Sequence, residues 1–189
     1  MLAAAAGTQF FWIGSRAAGI AALILASAAV GVGVSLGGRL SRRRGSDLRV
    51  THEALSLSAL VALVLHASLL FGDSWFAPSV ADLTVPFVSG YRSAYMAIGI
   101  IAGWGMLVTG LSYYARARIG IARWKRLHRF AALAWMLGIV HALGEGSDAG
   151  RAWFVAMVVL AVGPALALLA LRLRGLVSPR SPSATGAAS

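Results

Sequence analysis

Apolar positions in this chain neither alternate nor keep to one helical face; they run in long blocks broken by short polar stretches. Five blocks, at about 11–36, 50–71, 93–114, 127–143 and 152–171, approach the roughly 20 residues that a helix needs to cross a bilayer. The fourth is the shortest and carries a histidine near each end, in "LHRFAALAWMLGIVH". The pattern predicts an all-α, polytopic membrane helical bundle of five transmembrane helices over residues 10–172, with a disordered Pro/Ser/Ala-rich tail over 173–189.

Composition agrees with that pattern. Of 189 residues, 59% are hydrophobic and only 12% charged, and the mean hydropathy is +0.78; a soluble domain of this length needs more polar surface. The net charge of +11 does not point to nucleic acid, because the basic residues fall in short clusters between apolar blocks. Arg39, Arg42, Arg43, Arg44 and Arg49 follow the first block. Arg116, Arg118, Arg123, Lys125, Arg126 and Arg129 lie between or beside the third and fourth, and Arg172, Arg174 and Arg180 follow the fifth. These are 14 of the 17 basic residues and all share one side of the bundle. The positive-inside rule makes that side cytoplasmic, places the N-terminus outside and the C-terminus inside, and suits the cytoplasmic (inner) cell membrane. The first block has no basic segment before it, so it reads as a retained helix and not as a cleaved leader. Between the second and third blocks, "GDSWFAPSVADLTVPFVSGY" at 72–91 forms either a partial cap along the interface or a solvated loop.

No cysteine is present, which excludes disulfides, iron–sulfur clusters and thiolate ligation. The chemistry therefore rests on four histidines: His52 and His66 in the second block, His128 and His141 in the fourth. Both blocks run in the same direction through the membrane, so His52 shares a level with His128 and His66 with His141. Separations of 14 and 13 residues correspond to about 21 and 20 Å along a helix, which suits two stacked cofactors. Fourteen residues return His66 to within about 40° of His52, but thirteen leave His141 about 140° from His128 on an ideal helix. The fourth block thus requires local unwinding near Gly138, a His128 just outside the regular helix, or two different directions of approach. An ionisable group in a span is a functional candidate by default. Two imidazoles fill both axial positions of a haem iron, a set suited to electron transfer, whereas zinc would require further ligands.

"RWKRLHRFAALAWMLGIVHAL", with "WIGSRAAGIAAL" and "VPFVSGYRSAYMAIGIIAGW", resembles the ferric-reductase-like transmembrane domain family. That family includes NADPH oxidases, ferric reductases and a methionine sulfoxide reductase haem subunit. The resemblance covers about residues 10 to 170 and implies two haem b groups, His52 pairing with His128 and His66 with His141. The flavin and nicotinamide domain of many relatives has no counterpart here, and "GVGVSLGG" at 31–38 ends a membrane block instead of following a strand, so no FAD or NAD site is expected. Arg16 and Arg92 are candidate partners for the carboxylates of the outer haem. Trp104, Trp124 and Trp135 either lie near a haem ring or anchor and fill the bundle, filling being the expectation. The implied activity is transmembrane electron transfer, an oxidoreductase component with no catalytic side chain of its own. The donor would be a cytoplasmic reductase or a quinol, and the acceptor Fe(III) or an external partner reductase. Two rivals stand beside it: a single-haem, quinol-oxidising subunit of a periplasmic reductase, and a non-redox membrane protein whose histidines are structural or bind a metal.

Overall fold

The computed structural model describes residues 2–36, 45–146 and 148–177. Arg39, Arg42, Arg43, Arg44, Arg180 and the 178–189 part of the expected tail lie outside the described residues.

Among the described residues, eight helices form in chain order: α1 (Leu2–Leu36), α2 (Gly45–Leu70), α3 (Val80–Thr84), α4 (Ser93–Leu111), α5 (Arg116–Ile119), α6 (Ile121–His128), α7 (Phe130–Glu145) and α8 (Ala152–Val177). No strand occurs among the described residues. Five helical stretches among the described residues are long and apolar enough to cross a membrane: Gln9–Leu36, Ser46–Leu70, Ser93–Leu111, Ile121–Glu145 and Ala152–Gly175. The chain is an all-helical, multi-pass membrane protein. Large apolar side chains such as Leu160, which is 77% exposed, cover its outside as a lipid-facing surface must be covered. The α8 helix continues to Val177, past the 171 expected from hydropathy, because Leu171, Leu173 and Leu176 let an apolar pattern run on through Arg172 and Arg174.

The chain passes back and forth, so polar residues collect at two ends. At the basic end lie Arg49, α5, α6 and the last turn of α8, where an Arg172 guanidinium N–H donates to the Val34 carbonyl at 2.9 Å. At the acidic end lie Asp73, Asp82, Glu145 and Asp148. The segment between α2 and α4 is folded: Ser79 and Asp82 cap α3 reciprocally, and the Ser79 hydroxyl holds the Asp82 carboxyl below its ordinary pKa. The Trp104 indole donates to the Thr84 carbonyl at 2.9 Å and ties this segment to α4.

In the middle of the bundle, α1 packs against α2, α7 and α8. Leu23, Ala26, Ala59, Trp135, Phe154 and Val162 are buried together there. Trp135 is 2% exposed, and its indole donates at 3.0 Å to the Ser27 hydroxyl, which donates onward to the Leu23 carbonyl at 2.7 Å. In lipid this closes every polar group of the layer internally. The helix α2 rests on α1 and α7 rests on α4, whereas α2 and α7 scarcely approach one another. The two histidine-bearing spans therefore meet mainly through side chains.

Candidate functional site: two histidine pairs

The structure brings the four histidines together as two pairs. His52 and His128 have ring centroids 6.0 Å apart with planes at 89°, at the basic end. His66 and His141 have centroids 6.4 Å apart with planes at 71°, at the acidic end. Two imidazoles on opposite sides of one metal ion, each bonded at about 2.0–2.1 Å and with about 1.1 Å from nitrogen to ring centre, have centroids about 6.3 Å apart. Both pairs meet that spacing. Among the described residues no group of three His, Cys, Asp or Glu side chains gathers anywhere, so each pair remains a two-ligand set. A planar tetradentate group that needs only two axial ligands fits that donor set; a bare tetrahedral ion would need more from the protein.

The orientation of each ring is set from behind. The Nδ1 of His66 lies 2.8 Å from the Ser15 carbonyl, that of His52 2.9 Å from the Ala29 carbonyl, and that of His141 2.9 Å from the Tyr95 carbonyl. A carbonyl only accepts, so Nδ1 is the N–H nitrogen and Nε2 keeps the lone pair that binds a metal. This is the arrangement that fixes the tautomer and the ring orientation of a ligand histidine. Ser15, almost fully buried, adds a second tie: its hydroxyl donates at 2.8 Å to the His66 carbonyl and lies 3.1 Å from Nδ1.

Each of these three carbonyls is followed four residues later by glycine: Ser15 by Gly19, Ala29 by Gly33, Tyr95 by Gly99. A Cβ at Gly19 would lie 2.9 Å from the His66 ring, one at Gly33 2.9 Å from the His52 ring, and one at Gly99 would collide with the His141 ring. The glycines provide the flat bed on which each imidazole lies. The fourth histidine departs from the rule. His128 Nδ1 is 3.4 Å from the Thr109 carbonyl, and position 113, four residues on and beyond the end of α4, is tyrosine. The Trp124 ring stacks against His128 instead, with centroids 5.3 Å and planes 27° apart.

The acceptors on α1, Ser15 and Ala29, are 14 residues apart, as are His52 and His66 on α2 and the acceptors Tyr95 and Thr109 on α4. Only the fourth span has an interval of 13, and there the helix is interrupted. His128 ends α6, α7 begins at Phe130, and Arg129 sits in a tighter turn marked by an Ala132 N–H to Arg129 carbonyl bond of 3.3 Å. Through Gly138, where unwinding was one expectation, α7 is regular. The Arg129 backbone stays right-handed helical (φ −63°, ψ −26°), so the span runs on from Ile121 to Glu145 with a local change of winding between His128 and His141, a departure from the ideal of about 100° per residue.

Arg16 is ion-paired with Asp148, which also contacts Arg151, and the Arg16 guanidinium lies 4.9 Å from the Trp12 ring centre. Arg92, in a left-handed backbone conformation (φ 38°) at the start of α4, donates at 2.7 Å to the Gly144 carbonyl in the last turn of α7. Both thus brace the acidic end, and a guanidinium with five donors keeps others to offer. Sequence reasoning passed over Ser15, Gly19, Gly33 and Gly99. The signal was present: Gly19 and Gly33 repeat the 14-residue interval of the histidines they face. No family model, curated protein or solved structure matches the chain.

Proposed function

We propose that this protein carries electrons across a membrane through two bis-histidine haem b groups, one held by His52 and His128, the other by His66 and His141. The observation that carries the reading is the repeated unit of two paired imidazoles with centroids at 6.0 and 6.4 Å, three of the four rings having Nδ1 within 2.9 Å of a helix carbonyl. Haem b, when bound, supplies a one-electron iron couple with both axial positions filled. The chain's part would be to leave Nε2 as the free ligand nitrogen by engaging Nδ1, and to space the two levels, with the buried Trp135 in the span between them. Lipid surrounds the bundle.

By the positive-inside rule the basic end faces the cytoplasm of a cytoplasmic (inner) membrane. Electrons would then enter from a cytoplasmic reductase or a quinol and leave at the acidic end to Fe(III) or an external partner reductase. The cationic surface of α5 and α6 suits an acidic donor protein. Arg16 and Arg92 would offer their remaining N–H groups to haem carboxylates at the acidic end.

A second reading, a single haem at the acidic end, is favoured by the long His128–Thr109 separation of 3.4 Å. A dithionite-reduced minus oxidised spectrum with haem quantitation separates them. Two haems per chain in the wild type, falling to one in both His66→Ala and His128→Ala, is the expected outcome. One haem in the wild type, lost in His66→Ala and kept in His128→Ala, selects the single-haem form. A protein that stays colourless after reconstitution with haem overturns both.

A further inference from the structure

The three central tryptophans differ in how their indole N–H groups are used. Those of Trp135 and Trp104 donate to the Ser27 hydroxyl and the Thr84 carbonyl. That of Trp124 is buried and, among the described residues, has no hydrogen-bond partner. An indole N–H can only donate, and a buried donor left unmade is costly, so its natural complement is an acceptor from outside the chain.

The surroundings narrow the acceptor's chemistry. Trp124 is one helical turn from His128 toward the basic end and stacks on its ring. Its other ring neighbour is Tyr113, edge-on at 5.9 Å, over whose ring the Arg116 guanidinium lies at 3.8 Å. Residues 112–129 contain six cationic Arg and Lys side chains and no carboxylate. The carboxylate of Glu53, on the facing helix, accepts from the Tyr114 hydroxyl at 3.2 Å. A donor in such a field is matched by an anionic oxygen. We propose that the Trp124 indole N–H binds an anionic oxygen at the His52–His128 pair, and that this oxygen belongs to a carboxylate of the haem held there. The assignment rests on the haem reading above. It makes Trp124 the residue that seats the edge of the macrocycle, while the face is held by His128.

The test is a titration of the haem-free, full-length protein in a His66→Ala background, which leaves the basic-end pair, with haem and with haem dimethyl ester, whose carboxylates are blocked. Trp124→Phe should weaken haem binding about tenfold, the scale of one hydrogen bond to a charged group, and leave ester binding unchanged. Trp124→Gln, which keeps an N–H but loses the ring, should retain most of the preference for haem over ester; it also carries the test if Trp124→Phe does not fold. Equal weakening of haem and ester by Trp124→Phe, or no change in either, overturns the proposal. So does an effect seen only in vesicles containing anionic phosphatidylglycerol and absent in pure phosphatidylcholine, which would assign the N–H to a lipid headgroup. If the His66→Ala protein with Trp124 intact binds no haem, a basic-end haem falls, and this proposal with it. If that protein binds haem with no dependence on Trp124, only this proposal falls.

Discussion

The two histidine pairs use the same ligand set mounted in two ways. At the acidic end both rings lie on glycine, Gly19 behind His66 and Gly99 behind His141, and both make short bonds to helix carbonyls, with Ser15 adding a hydroxyl. At the basic end only His52 is held like this, by Gly33 and the Ala29 carbonyl. His128 sits at a helix junction, far from its carbonyl, with Trp124 against its face. The contrast teaches that a ring can be fixed by a backbone bed where two helices run side by side, and must be fixed by another side chain where one helix has already ended. Since α4 stops at Leu111, no helical position 113 exists at which a glycine could serve His128.

The largest way to break the comparison is to fill a glycine bed. Gly99→Ala places a methyl group in the His141 ring, so acidic-end haem affinity should fall about 10- to 100-fold, the range for losing outer-shell support of a metal ligand. The matching change at the other end, Tyr113→Ala, touches no glycine bed and removes only an edge-on neighbour of Trp124, so basic-end haem affinity should fall much less than acidic-end affinity does in Gly99→Ala. Haem titration of both variants checks this, and equal losses would mean that the glycine bed is not what distinguishes the ends.

A smaller effect should follow from Ser15→Ala, which removes the hydroxyl but keeps the carbonyl that His66 uses. The expected cost is about 2- to 10-fold in acidic-end affinity, one ordinary hydrogen bond, with the basic-end site unchanged. Loss at both ends would show that Ser15 supports the α1–α2 packing as a whole and not one ring.

The finest discriminator changes no affinity. Ring planes at 89° and 71° place both pairs near perpendicular, with the basic end closer to it. Crossed imidazole planes leave the two iron d-orbitals that they perturb nearly degenerate, so both oxidised haems should give strongly anisotropic low-spin electron paramagnetic resonance signals, the His52–His128 signal the more anisotropic. Spectra of His66→Ala and His128→Ala assign each signal, and a rhombic signal typical of parallel planes from either site would contradict the geometry there.

Much of this was legible along the chain because lipid imposes a simple rule: a span must be long, apolar and hydrogen-bonded within itself. That rule located the five spans and, through their alternating direction, the two levels of histidine. The interruption at Arg129 was not legible, since neither glycine nor proline marks it; only the mismatch of thirteen residues required some departure from a regular helix, and His128 outside that helix was one of three solutions left open. Nor could the tryptophans be told apart. Trp104, Trp124 and Trp135 have the same donor, and whether Thr84, Ser27 or no described residue stands opposite depends on which helices meet there.

By itself, then, the sequence determined that this is a helical membrane bundle, which residues can ligate, and at what depth each lies, because hydrophobic length and helical rise are properties of one segment at a time. The tertiary structure decided which nitrogen of each histidine is free, which glycines bed the rings and which indole is left unpaired. Those depend on a carbonyl, a missing Cβ or an absent acceptor on a neighbouring helix, contacts that exist only once separate helices have packed.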